Sequence, residues 1–126
     1  MKLAYVDTSC LVAIAFGEPG SGTLARRLEG FDELLSSNLL EAELRASFGR
    51  EDVPIEEDLL TWVTWVIPDR ALSPELKTVL STGYLRGADA WHLACAMYLA
   101  VHPEEMSFIT LDKRQEEVAE ELGFPN

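Results

Sequence analysis

The chain has 126 residues, is 48% hydrophobic and carries 10 basic against 22 acidic side chains, a formal net charge of −12. That size suits one domain, residues 1–126, around a single core, and the acidity argues against a general electrostatic footprint for nucleic acid or an anionic membrane. Any polyanionic substrate must be recruited locally, by individual cations.

The first apolar run, Leu3 to Val6, reads as a buried strand, and Ser9 to Phe16 as a helix closed by Gly17 and Pro19. Leu11 to Phe16 is too short to span a bilayer, and Met1-Lys2 leads into the first run without a signal-peptide pattern, so a cytoplasmic protein is expected, with no membrane association. A helix over Thr23 to Glu29, a strand over Glu33 to Ser37 and a helix capped by Asn38 and running to about Gly49 come next. Pro54 to Val63 reads as helical, with Glu56, Glu57 and Asp58 suited to its N-terminal dipole, and Trp62 to Ile67 as a strand. Ser73-Pro74-Glu75 starts a helix, with a capping hydroxyl and a proline in the first turn, that runs to about Ser81. Ala88 to Val101 reads as a far more apolar helix, Met106 to Leu111 as a strand, and Asp112 to Leu122 as a last amphipathic helix. Strands alternating with helices predict a three-layer α/β/α sandwich around a mainly parallel sheet. The lone Cys10 and Cys95, each in an apolar stretch, read as buried reduced thiols.

Ligand crevices in such sheets open beyond the carboxyl ends of the strands. Asp7 follows the first strand and Asp112 the last, which puts both on that rim. At about 100° per residue, Glu43 falls inside the apolar arc of Leu39, Leu40, Leu44 and Ala46. Glu41 falls at its edge, one turn from Arg45, where an i, i+4 salt bridge accounts for it. Asp89 and His92 are the only strongly polar side chains of the Ala88 to Val101 segment, and Ala96 and Ala100 leave space beside Asp89. An ionised carboxylate buried there must meet a partner, take up a proton or bind a metal, and His92 is one candidate partner.

Each acid also has a plain structural role open to it. Asp7 and Asp112 can cap helices, Asp112 with Gln115 fits a capping box, Asp89 can cap its own helix, and Glu43 can pair with a buried arginine. Taken together, several carboxylates without neighbouring His or Cys clusters match a hard oxygen site for Mg²⁺ or Mn²⁺. Thr8, Ser9 and Thr110 stand beside two of these acids, placed to orient carboxylates or waters, or, for Thr8 and Ser9, to cap the first helix.

The segments AYVDTSCLVA, SSNLLEAELRASF, LRGADAWHLACAM and FITLDKRQEEVAEELGF, in that order, resemble the PIN-domain family, and more narrowly its single-domain VapC-type toxins. The resemblance implies a metal-dependent endoribonuclease in which Asp7, Glu43, Asp89 and Asp112 gather Mg²⁺ or Mn²⁺ and a metal-activated water attacks an RNA substrate. It further implies Thr8, Ser9 and Thr110 as supports, a cognate antitoxin inserted over the cleft, and frequent homodimers. His92 follows the third acid and reads as structural rather than as a general base. Arg45, Arg86, Lys113 and Arg114 are the cations nearest the motifs, with phosphate contact and simple surface ion pairing both open to them. Trp62, Trp65 and Trp91 read chiefly as core residues. The chain stops at Phe124-Pro125-Asn126, where many relatives add a last strand, so a sheet one strand short is allowed.

Two other functions compete with the toxin ribonuclease. A non-catalytic PIN-like protein-binding module accords with the acidic surface. A phosphoryl-transfer domain with Asp7 as nucleophile is weaker, since Ser9 stands where a second Asp would serve and only Lys113 sits near the rim.

Overall fold

The computed structural model describes all 126 residues, Met1–Asn126. Four strands, β1 (Leu3–Val6), β2 (Glu33–Ser37), β3 (Thr64–Val66) and β4 (Met106–Ile109), form one wholly parallel sheet in the order β3-β2-β1-β4. Six α-helices join them: α1 (Thr8–Ala15), α2 (Ser21–Glu29), α3 (Leu39–Arg50), α4 (Ser73–Thr82), α5 (Gly87–Leu99) and α6 (Lys113–Glu121). This is the expected α/β architecture with a parallel central sheet.

The short central strand β1 shows how residues divide the layers. Ala4 and Val6 pack with Cys10, Leu24, Leu28, Leu34 and Ile109 under α1 and α2, whereas Tyr5 enters the opposite cluster with α4, α5 and α6. Successive side chains of a strand point to opposite faces, so a buried apolar run serves both sides of a covered sheet. Leu11, Leu40, Leu44 and Phe48 join α1 to α3 in a third cluster. Both cysteines are free and buried, and burial pushes their thiols up, to about 12 for Cys10 and about 11 for Cys95.

Three local expectations change. Pro54–Val63 does not form an α-helix. The chain reaches β3 through a 3₁₀ turn at Glu57–Trp62, and β3 is only three residues long. Asn38 makes no side-chain cap, its amide reaching Glu41 instead, and the Ser37 hydroxyl accepts the Leu39 N–H at 3.1 Å. Ser73 lies inside α4 and makes no capping bond to it. The four-stranded sheet carries no strand beyond β4 on that side, although the Phe108 N–H donates to the Pro125 carbonyl at 2.9 Å. No helix is long and apolar enough to cross a membrane.

From β1 the chain moves to β2 and β3 on one side and reaches β4 on the other, so the strand order reverses between β1 and β4. Connections leave such a switch point in opposite directions and open a crevice at the strands' carboxyl ends. Asp7 and Thr110 immediately follow β1 and β4.

Candidate functional site

Asp7 both caps a helix and faces the site. Its Oδ2 accepts the Ser9 N–H at 3.1 Å, so Asp7 caps α1 and neither Thr8 nor Ser9 does. Its Oδ1 accepts from Gln115 Nε2 at 3.4 Å and lies 3.9 Å from His92 Nε2, and the side chain is almost fully buried. Asp112 likewise caps α6, accepting the Gln115 N–H at 2.8 Å. The reciprocal half of a capping box is absent, because the Asp112 N–H goes to Thr110 Oγ1 and the Gln115 side chain turns inward.

That inward turn builds a support absent from the sequence expectations. The Thr110 hydroxyl has one proton and stands 2.6 Å from Gln115 Oε1 and 3.3 Å from Asp7 Oδ2, so the shorter contact takes it. This fixes the Gln115 amide, whose NH₂ donates to Asp7 and, at 3.2 Å, to the Asp89 carbonyl. Gln115 thereby ties β1, α5 and α6 together while fully buried. The Ser9 hydroxyl accepts the Leu111 N–H at 3.1 Å and lies 3.4 Å from Thr110 Oγ1, joining α1 to the same rim.

Glu43 does face inward, as its helix position requires, but it meets a histidine and a threonine rather than an arginine. Its Oε1 accepts from Thr8 Oγ1 at 2.7 Å and from His92 Nε2 at 2.8 Å. Desolvation raises the Glu43 carboxyl, yet the hydrogen bonds from His92 and Thr8 and the attraction of His92 outweigh it, leaving the group below its ordinary value. The His92 Nδ1 sits 2.8 Å from the Tyr5 hydroxyl, which also accepts the Ser37 N–H at 2.9 Å. Burial first, then the nearby Cys95, pushes the Tyr5 phenol well up, so it keeps its proton. With the hydroxyl donating to Nδ1, a neutral imidazole carries its proton on Nε2 and gives it to Glu43. His92 is therefore fully buried structure, as the sequence indicates, but its partner is Glu43 and not Asp89.

Asp89 makes no cap for α5, whose start at Arg86 and Gly87 has no side-chain capping bond. It lies half-buried in the first turn, and burial first, then the charges of Asp7, Asp112 and Glu43, raise its carboxyl above the ordinary range. Asp89 and Asp112 line an open cleft of about 320 Å³ with Tyr84, Leu85, Arg86 and Arg114. The four acids thus fall into two pairs, Asp7 and Glu43 around His92, and Asp89 and Asp112 along the cleft. No three His, Cys, Asp or Glu side chains stand close enough together to hold one ion. The donor set is nonetheless all oxygen, and the repulsion that adds to burial in raising Asp89 is what a hard divalent cation relieves, so the residues fit such an ion chemically, with side-chain movement needed to close on it.

The cations divide as sharply. The Arg45 guanidinium is held by Glu41 at 2.8 Å and, with both terminal nitrogens, by Glu57 at 3.0 and 3.1 Å, which matches the ion-pairing alternative. Arg86 and Lys113 have no ion-pair partner, and Arg114 has a loose one in Glu117 at 3.4 Å. A Cβ on Gly83 would stand 2.8 Å from Arg114 Nη2 and 2.9 Å from Val118 Cγ2, so the glycine leaves the space in which that guanidinium rests.

The PIN domain family model matches residues 4–121, and the chain belongs to the PIN domain family. PIN domains are in general nucleases, hydrolases that use divalent metal ions. No curated protein and no solved structure gives a significant match to the chain.

Proposed function

We propose that the protein is a metal-dependent endoribonuclease of the VapC type, the toxin of a type II toxin–antitoxin pair. The observation that carries the reading is Asp89: a half-buried carboxylate on the cleft with no hydrogen bond or ion pair, raised by burial first and then by three neighbouring acids. Membership of a nuclease family gives that costly arrangement its use. Asp7, Glu43, Asp89 and Asp112 would hold Mg²⁺ or Mn²⁺, which when bound supplies a water of lowered pKa and charge neutralisation at the phosphate. Gln115 and Ser9 N–H orient Asp7, and Thr8 and His92 orient Glu43. Arg86 and Arg114 bind the RNA backbone beside the acids, with Lys113 a further cation of the same rim. On this reading the protein works in the cytoplasm, is restrained by a cognate antitoxin seated over the cleft, and forms homodimers.

The test is cleavage of single-stranded RNA in Mn²⁺, with folding followed by circular dichroism. Cleavage that is abolished by chelation and by Asp89→Asn, in a variant that keeps the wild-type spectrum, supports the reading. The competing module reading draws on the open spacing of the acids and predicts no cleavage and no Mn²⁺-dependent rise in thermal stability. Growth arrest on expression, relieved by the small protein encoded beside the gene, tests the toxin role.

A further inference from the structure

Between α4 and α5 the chain runs extended at Gly83, with φ −172° and ψ 150°, and again at Arg86, with φ −65° and ψ 155°. Leu85 is buried in the main core cluster, which anchors the segment. Alternation along an extended chain then sends Tyr84 and Arg86 outward together. Tyr84 is 77% exposed, stacks on no other ring and lies under no cation. A single exposed aromatic is ordinary. Here Tyr84 lines the same cleft as Asp89, Asp112, Arg86 and Arg114, and the Arg114 guanidinium rests against the neighbouring Gly83.

We infer that Tyr84 is a stacking platform for one unpaired base of the substrate, placing that nucleotide's phosphate against Arg86 and Arg114 at the edge of the acidic rim. The inference rests on the ribonuclease reading and assigns to Tyr84 the contact that seats one nucleotide of that substrate. An aromatic face next to guanidinium groups is the combination that holds single strands, because every base has a π-face and every nucleotide a phosphate. A cleft of about 320 Å³ takes roughly one nucleotide, and a base inside a duplex offers no free face to the ring. The same arrangement overcomes the overall charge of −12, since contact is confined to one patch.

The probe is a 2′-O-methyl oligoribonucleotide, which resists cleavage and separates binding from turnover, read by fluorescence anisotropy with and without Mn²⁺. Tyr84→Ala weakens binding about five- to hundred-fold, Tyr84→Phe stays within about two-fold of wild type, and a blunt duplex of the same sequence binds weakly to all three. Tyr84 is exposed, so both variants keep the wild-type melting temperature. Unchanged affinity in Tyr84→Ala, no binding by wild type, or equal binding of the duplex each overturns the inference. Unchanged oligonucleotide binding together with lost antitoxin binding reassigns the ring to a protein contact. Cleavage of unmodified RNA by wild type is scored separately: absent cleavage with intact Tyr84-dependent binding defeats the nuclease reading and leaves the stacking role standing.

Discussion

His92 and Glu43, 49 residues apart in the chain, meet through a 2.8 Å hydrogen bond that closes the back of the site. The imidazole is fixed from its other side by Tyr5, so the position of a rim carboxylate depends on a phenol in the middle of the central strand. Replacing His92 by Phe removes one of the two donors that hold Glu43 down and leaves only the Thr8 hydroxyl to oppose its desolvation. The Glu43 carboxyl then titrates at higher pH than in wild type, a shift that carboxyl-detected NMR reads directly. The sign for stability follows: a depressed carboxyl contributes above its unfolded value and loses that contribution as pH falls through the folded one. The His92→Phe protein therefore loses less stability than wild type on acidification in this range.

Tyr5→Phe tests the same chain one link deeper. It strips the buried Ser37 N–H of its acceptor and the His92 Nδ1 of its donor. Buried groups left unpaired cost about 1–3 kcal/mol, so the urea midpoint falls with little change in slope. Fold and near-ultraviolet signals otherwise persist.

Asp89→Asn behaves oppositely in the absence of divalent ions. A carboxyl raised by the folded state penalises folding increasingly as pH climbs past its unfolded value, and the penalty is complete above the folded one. At neutral pH the substitution removes that penalty and raises the melting temperature by about one or two degrees, a small gain because solvent screens a half-exposed group. With Mn²⁺ added the order reverses, as wild type gains stability that the variant lacks. An unstabilised variant without the ion, or equal Mn²⁺ shifts in the two proteins, removes the support for Asp89 as a ligand.

Thr110→Val separates support from ligand. Valine keeps the volume but leaves Gln115 Oε1 and the Asp112 N–H without their partner, so stability drops by about 1–3 kcal/mol. The Gln115 amide is then free to turn, Asp7 loses its orientation, and the affinity for Mn²⁺ falls along with cleavage. Outer partners of metal ligands change metal affinity by about 10- to 100-fold, which calorimetry resolves.

Arg45→Ala and Arg86→Ala divide the cations. Arg45 is committed to Glu41 and Glu57, so its loss leaves oligonucleotide affinity and salt dependence as in wild type. Loss of the unpaired Arg86 weakens binding and flattens the dependence of log K on log salt by about 0.7, the value of one phosphate on a single strand. Anisotropy titrations at three salt concentrations distinguish the two.

Much of this molecule is legible locally. Leu3–Val6 and Glu33–Ser37 form strands where their short apolar runs indicate, because buried parallel strands need little else, and Asp7 and Asp112 cap helices because a carboxylate accepts free N–H groups two or three residues on. Helical periodicity was enough to turn Glu43 inward and leave Glu41 to Arg45. The segment Pro54–Val63 misleads for an equally local reason: its acids suit a helix start, yet Leu59 and Val63 are drawn into the α1–α3 cluster and the chain tightens to a 3₁₀ turn before β3.

What no local pattern contains is pairing across the sheet. Gln115 reads as the end of a capping box, and only the placement of β4 beside β1 lets it reach Asp7 instead. Tyr5 reads as one more apolar residue of a strand, and only α5 lying over that face makes it the partner of His92. The sequence by itself determined the element types outside Pro54–Val63, the rim position of Asp7 and Asp112 and the inward face of Glu43, because each depends on local pattern along the chain. The tertiary structure decided which donors hold those acids and why Asp89 is left without one, since hydrogen bonds and desolvation depend on distances between elements remote in the chain.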